Sequence, residues 1–289
     1  MLNFRLCLEG SVTERPDDGA DLLVTRDGPV LAITLNRPAV KNALSVEMVY
    51  GIIAAVESAS VDDVTRVIVI RASGPDFCSG IDLVQSNRRD RGPAPSTGRV
   101  KPRTGHLQRG FRLGAHRMIE ALDGVQLPVV AGVRGWAAGV GNMLALSADV
   151  VVATPSAKFW VPFVTKGFTP DSGNTWLLPR LVGLSRAKEM VLRGKPVPGE
   201  KAAAWGLVSE CVAEEGLDRA VDAIAAELAQ AATVAIGLGK TLLHRNLEVG
   251  LAAALQNEGI YEELAVRSND FKEGMRAFSE NRAPFYSGW

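Results

Sequence analysis

With 289 residues, 47% of them hydrophobic, the chain can hold one large or two modest domains around a sizeable core. Lys and Arg total 32 and Asp and Glu total 32, so no net field draws it to nucleic acid or an anionic membrane. Its 3 Cys (Cys7, Cys78, Cys211) and 3 His (His106, His116, His244) are too scattered for a disulfide framework or a metal-ligand pattern.

Residues 1–21 read as an N-terminal extension. Its apolar start is too short for a signal core and is soon followed by Glu9, Glu14, Asp17 and Asp18. No apolar stretch is long enough to span a bilayer, so a cytoplasmic chain is expected. Leu22 to Arg26 and Val30 to Leu35 read as strands joined at Asp27-Gly28, a favoured hairpin turn. Ser45 is a candidate N-cap with Glu47 in the first turn, and Val49, Ile52, Ile53 and Val56 then recur at helical spacing. Val67 to Ile70 is a continuous apolar run, hence a strand buried on both faces. A turn rich in small residues follows, from Ser73 to Leu83. Hairpin, helix and strand make a ββα unit.

Asn87 to Arg112 interrupts the pattern with Arg88, Arg89, Arg91, Arg99, Lys101, Arg103, Arg109 and Arg112, and with Pro93, Pro95 and Pro102. The composition predicts a mobile loop, either a solvated excursion or a segment that folds over a phosphorylated ligand. The apolar run Pro128 to Val133 then feeds a second turn containing Gly135, Gly139 and Gly141, a short helix over Asn142 to Ser147 and a strand over Val150 to Ala153. Beyond it, helices are expected over Gly173 to Val182, Ser185 to Leu192 and Gly199 to Trp205, the last ended by Gly206. An extended piece spans Leu207 to Val212. Helices over Leu217 to Ala232, Thr233 to Leu247, Leu251 to Arg267 and Asp270 to Glu280 complete the chain. The expected division is a mixed α/β core over 22–182 and a helical region over 183–289, whose apolar faces predict packing onto other subunits.

Two small-residue turns, each after a buried strand, could each offer an outward backbone amide. Glycine lets the backbone come close to a ligand there, and paired amides hold a developing oxyanion, with one donor worth about 10²–10³ in rate. The chain has no GxxxxGK[ST] and no GxSxG elbow with a His partner, and Gly139-x-Gly141 is only part of a dinucleotide fingerprint.

Leu35-Asn36-Arg37-Pro38 with Lys41-Asn42-Ala43-Leu44, then Phe77-Cys78-Ser79-Gly80-Ile81-Asp82-Leu83, then Gly135-Trp136-Ala137-Ala138-Gly139-Val140-Gly141 resemble the crotonase superfamily, the enoyl-CoA hydratase/isomerase group. The resemblance continues through Trp205-Gly206-Leu207-Val208 and Phe278 to Phe285. It implies an α/β fold, a spiral of ββα units with a C-terminal helical trimerisation region, and a homotrimer or homohexamer. It also implies an acyl-CoA thioester whose carbonyl lies between the amides of Ile81 and Val140, with no metal and no cofactor beyond the coenzyme A moiety of the substrate. By family position, Lys41, Ala43, Leu44, Ser79, Gly80, Asp82, Leu83 and Gly139 would line the CoA, and Phe285 of the tail would approach the nucleotide. The family's tail Lys is replaced by Tyr286. Cys78 reads as a small filler in the oxyanion turn, since no His is placed to activate it.

The resemblance breaks at the acids. Family hydratases carry one Glu where this chain has Met143 and another where it has Phe163. Neither side chain can move a proton, and general acid–base help is worth about 10²–10⁴ per step. Both read as apolar packing that dries the pocket. One carboxylate remains, in Pro170-Asp171-Ser172-Gly173. Asp171 is either the N-cap of the following helix or, as the resemblance to the family's Asp-based isomerases implies, a proton-transfer base with a pKa raised by apolar surroundings. The leading expectation is an acyl-CoA isomerase of double bonds or ring epoxides. An enoyl-CoA hydratase with an unidentified acid/base and a non-catalytic CoA-ester-binding homologue are the alternatives. Trp136, Phe159, Trp160, Phe163, Phe168 and Trp176 cluster around the motifs, as core packing or as an aromatic acyl pocket.

Overall fold

A computed structural model describes residues 19–82 and 104–289. The expected extension up to residue 18, Leu83 and the basic residues of 88–103 lie outside the described residues. Strands β1 (Leu22–Asp27) and β2 (Val30–Leu35) form the hairpin, with Asp27 opposite Val30. Helix α1 (Val46–Ala59) starts at Ser45, whose hydroxyl accepts the Met48 amide at 3.2 Å. It buries Val49, Ile52, Ile53 and Val56, the residues set at helical spacing. It returns the chain to β3 (Val67–Ala72), parallel to β2.

Here the structure corrects the sequence reading. Its described part from His106 onward is no loop: helix α2 (His106–Leu113) is followed at Gly114 by α3 (Ala115–Gly124). The two are held together by the rings of Phe111 and His116, 5.8 Å apart. Helix α3 buries Ala115, Met118 and Leu122 on one face. It leads to β4 (Val129–Val133), β5 (Trp136–Ala138), α4 (Val140–Leu146), β6 (Val150–Ala153) and β7 (Lys158–Trp160). Helix α5 (Asn174–Arg193) bends at Gly183, whose φ of 75° and ψ of 158° interrupt it where the sequence separates two helices. After it come β8 (Val197–Pro198), α6 (Gly199–Trp205), β9 (Glu210–Cys211), α7 (Leu217–Gln230), α8 (Thr233–Asn246), α9 (Leu251–Ala265) and α10 (Asn269–Ser279).

The main sheet runs β1-β2-β3-β4-β6-β9 and is parallel after the first hairpin; β5, β7 and β8 make a smaller sheet. Alternate residues of β3 and β4 serve two cores. Val67, Val69 and Val130 pack with Leu217, Val221 and Ala225 of α7, while Ile68, Ile70, Val129 and Ala131 face the other layer with α1 and α3. A strand covered on both faces must be apolar at every position, which is why these segments read as unbroken runs. No described helix is by itself long and apolar enough to cross a membrane.

Helix α8 is tied down by a charge. Lys240, 7% exposed, donates to Asp149 at 2.8 Å and to the carbonyls of Leu127 and Leu122 at 3.2 and 3.3 Å. Asp149 also accepts the Val129 amide at 2.7 Å, so one ion pair joins α8 to the ends of α3, β4 and β6. Lys240→Met keeps the stem but strands the carboxylate and both carbonyls. We expect it to lower stability by about 3 kcal/mol in urea unfolding; a loss under about 1 kcal/mol would mean that solvent already screens the pair.

Candidate active site

Two turns leave the carboxyl ends of β3 and β4, the end at which open parallel sheets place their sites. Asn42 shapes the first approach. It is fully buried and left-handed (φ 52°). Its side chain donates to the carbonyls of Ser73 and Asp76 at 2.9 and 2.7 Å and accepts the Arg37 amide at 2.7 Å. Residues 41–44 are thereby pressed against 79–82. The Ser79 amide donates to Lys41 O at 2.9 Å, the Leu44 amide to Gly80 O at 2.8 Å, and the Asp82 amide to Leu44 O at 2.9 Å. Arg37 closes this seam from outside, bonding Ala43 O at 2.6 Å and Asp82 at 3.2 Å.

The second turn is stitched to the first. The Cys78 amide donates to Trp136 O at 2.7 Å and the Ala138 amide to Cys78 O at 2.9 Å. No side chain fits between them. A Cβ on Gly141 would lie 2.6 Å from Cys78 O and Sγ, and one on Gly80 would lie 2.9 Å from Ala138 O and 3.7 Å from Val140 N. Just beyond the stitch, the amides of Ile81 and Val140 donate to no acceptor among the described residues. Two free donors on adjoining turns are what a developing oxyanion requires. Burial pushes the Cys78 thiol up to about 12, so it is an inert filler of the turn.

Asp171 comes from another part of the chain. Residues 171–174 form a turn in which Ser172 (φ 52°) and Gly173 (φ 89°) are both left-handed. Gly173, not Asp171, occupies the N-cap of α5, and among the described residues the Asp171 carboxylate accepts from the Ser172 hydroxyl and from no helix amide. Asp171 faces a cavity of about 550 Å³ that it shares with His116, Met143, Gly173 and Trp176. Met143 and Ser147 line it one helical turn apart, and Val140 precedes them on the same face of α4. Met143 Cε sits 3.4 Å from where a Gly173 Cβ would be. Burial holds the Asp171 carboxyl above its ordinary range, while a Ser172 hydrogen bond and nearby His116 pull it partly back.

The other expected residues divide. Phe163 reaches to 3.8 Å of a Gly139 Cβ position, so it stands over the oxyanion turn. Trp136 and Trp160 meet at a tilt of 52° with centroids 5.3 Å apart, with Lys158 and Lys41 at 5.0 and 5.9 Å from the Trp136 ring. Phe159 is core and Phe168 is exposed, which leaves Trp176 as the ring of that cluster lining the Asp171 cavity. Phe285 does not join the site within one chain: it is 84% exposed, and its amide is held by Glu273 at 3.0 Å. His116 and Ser172 escaped the sequence reading. The spacing Ala115, Met118, Leu122 could have revealed the helix that presents His116. Among the described residues, no group of three or more His, Cys, Asp or Glu could hold a metal ion.

Gly141→Ala tests the stitch. The added methyl meets backbone as well as Sγ, so the turns must part. We expect a loss of CoA-thioester turnover of at least about 10²-fold, the worth of one misplaced oxyanion donor; wild-type turnover with a folded circular-dichroism spectrum would contradict it.

Comparison with known proteins agrees with this geometry. The family described as enoyl-CoA hydratase/isomerase matches residues 25–288. The chain is similar to the 1,2-epoxyphenylacetyl-CoA isomerase of Escherichia coli K12, at 35% identity over 90% of this chain and 95% of that protein. It is similar to the 2,3-dehydroadipyl-CoA hydratase of the same organism, at 33% identity over 93% and 99%. Among solved structures, the enoyl-CoA hydratase of Mycobacterium smegmatis aligns with a TM-score of 0.82 at 30% identity, covering 92% of this chain and 99% of that one. With two stitched glycine turns, a parallel ββα core and a family match over nearly its whole length, the chain belongs to the enoyl-CoA hydratase/isomerase family of the crotonase superfamily and is an enzyme that acts on an acyl-CoA.

Proposed function

We propose that this enzyme is an acyl-CoA isomerase in which Asp171 is the sole carboxylate base. The observation that carries the reading is that Asp171 caps no helix and faces the cavity beside Met143, where the resemblance calls for an acid. The Asp171 carboxylate removes a proton from carbon. The electron pair moves into the thioester oxygen, between the Ile81 and Val140 amides. The Asp171 acid then returns the proton to a different carbon, so the product has the composition of the substrate. Migration of a double bond fits this scheme directly; in a ring epoxide the enolate's electron pair would instead return to form a carbon–carbon double bond as the C–O bond at the β-carbon breaks, and the Asp171 acid would give its proton to the released alkoxide oxygen. Base, enolate and two amides suffice, so the proposed reaction uses no cofactor beyond the substrate's own coenzyme A. Lys41, Ala43, Leu44, Ser79, Gly80, Asp82 and Gly139 flank the amides and are proposed to line the CoA. The similarity to an epoxide isomerase at 35% identity supports the branch.

A hydratase is the second reading, favoured by one observation: His116 and Glu120 share the cavity with Asp171 and would supply a second titratable group. The relative named as a 2,3-dehydroadipyl-CoA hydratase points the same way. We also propose that the protein works as a homotrimer or homohexamer, since α8, α9 and the turn between them leave Leu243, Leu247, Leu251 and Leu255 exposed.

Asp171→Asn decides between base and bystander. We expect the conversion of vinylacetyl-CoA to crotonyl-CoA, and deuterium wash-in at the α-carbon of phenylacetyl-CoA, to fall by about 10²–10⁴-fold. Wild-type rates in the variant, or a wild-type enzyme inert in both assays, would overturn the reading. Crotonyl-CoA hydration that survives Asp171→Asn would favour the hydratase.

The same variant has a stability signature. The Asp171 pKa is raised in the folded state, so the fold favours its protonated form. That contribution is present below the unfolded carboxylate range and lost as pH rises through the folded pKa, which makes ionised Asp171 destabilising at neutral pH. Asp171→Asn is therefore expected to melt higher than wild type at pH ~7, the gain vanishing below about pH 4.

A further inference from the structure

Ser172 occupies an unusual place for its residue type. It is 3% exposed and left-handed, a conformation few non-glycine residues adopt, and it directly follows Asp171. Its hydroxyl donates back across the peptide to Asp171 Oδ1 at 3.0 Å. The next anchor is Asn174, fully buried, whose side chain and backbone amides bond the Asp171 carbonyl at 2.7 and 3.1 Å. Asn174 Oδ1 faces Asn142 Nδ2 at 3.5 Å, and Asn142 lies on α4 two residues beyond Val140. The turn that carries Asp171 is therefore fastened to the helix that begins with a free oxyanion amide.

We propose that Ser172 is a positioning residue for Asp171: its left-handed backbone turns the carboxyl into the cavity and its hydroxyl fixes the carboxylate there in one orientation. The inference rests on Asp171 being the proton-transfer group. Strained backbone conformations persist where the surrounding structure over-determines them, and here Asn174 fixes the far side of the same turn. A glycine would take this conformation without penalty, but it would supply no hydroxyl. The hydroxyl also favours the charged form of Asp171 against burial. The charged or titratable groups lining the cavity are His116, Glu120 and Asp123 of α3; α4 and α5 contribute none. Of these, His116 acts on Asp171 in the same direction as Ser172.

Two variants separate backbone from hydroxyl. Ser172→Ala removes the hydroxyl and keeps the strain; Ser172→Gly removes both. Both are assayed on vinylacetyl-CoA across pH, beside the wild type and Asp171→Asn. We expect kcat to fall about tenfold or more in both, the scale of a hydrogen bond to a charged group, with KM little changed. The acid limb of the pH profile should move to higher pH in both, because Asp171 loses a donor that favours its ionised form. Ser172→Gly should melt above Ser172→Ala. A limb left at its wild-type position in both variants overturns the proposal, and so does a wild-type rate in Ser172→Gly, which would leave the hydroxyl without a role. Asp171→Asn distinguishes the two failures. If it is inactive while the Ser172 variants behave as wild type, only this inference falls. If it retains full rate, the base assignment falls first.

Discussion

Cys78 exchanges two backbone hydrogen bonds with the strand that carries Ala137, and that short bridge sets where the amides of Ile81 and Val140 stand. The contact depends on what is missing. A methyl on Gly141 would overlap the Cys78 carbonyl, and one on Gly80 would crowd the Ala138 carbonyl. Buried backbone groups must find partners, and around the stitch they do: Trp136 O, Cys78 O, Gly80 O and Leu44 O are each taken. The amides left over are therefore a product of the geometry and not of loose packing. Everything upstream holds this bridge still: Asn42 inside the first turn, Arg37 across the seam, and Asp76, which accepts the Trp136 amide at 2.9 Å from the other side.

The acid side of the site obeys the opposite economy. The amides are neutral dipoles and are stable when dry, whereas a carboxylate loses hydration in the same surroundings. Asp171 is a compromise between these demands. Half-buried, it has a pKa raised by burial, and the Ser172 hydroxyl and His116 limit the rise. A group in that balance responds to small changes in its neighbours, because no single full-strength ion pair dominates it.

Much of this architecture is legible in the sequence because local rules and tertiary demands coincide. Val67 to Ile70 is apolar at each position since both faces of β3 are covered, Ser45 caps α1, and Gly183 bends α5 between the two expected helices. The two glycine turns are legible for the same reason. What escaped the sequence is non-local or too short. Strands β5 and β7 span 3 residues each and carry no period. Helix α2 follows a run of arginines whose composition outweighs any periodicity. Lys240 looks like a solvent-facing helix position until carbonyls from two distant segments and Asp149 surround it. The left-handed Ser172 has no compositional signal, because Pro170-Asp171-Ser172-Gly173 announces a turn without saying which residue takes positive φ.

Met143 and Phe163 stand where the resemblance to the family's hydratases calls for acids. Side chains that have merely drifted would be expected to leave gaps or to reach for solvent. Met143 is instead fully buried, with Cε 3.4 Å from where a Gly173 Cβ would be, and Phe163 Cζ is 3.8 Å from where a Gly139 Cβ would be. Each apolar side chain thus stands near a glycine, Met143 leaving less room than Phe163. A Glu at 143 would also add a carboxylate to a cavity that Asp171 already shares with Glu120 and Asp123, and like charges close together disfavour one another's ionised forms. Such a neighbour would raise the Asp171 pKa further and leave less of it ionised at neutral pH. An apolar Met143 beside Asp171 thus avoids adding a further like charge to the carboxylates of Asp171, Glu120 and Asp123.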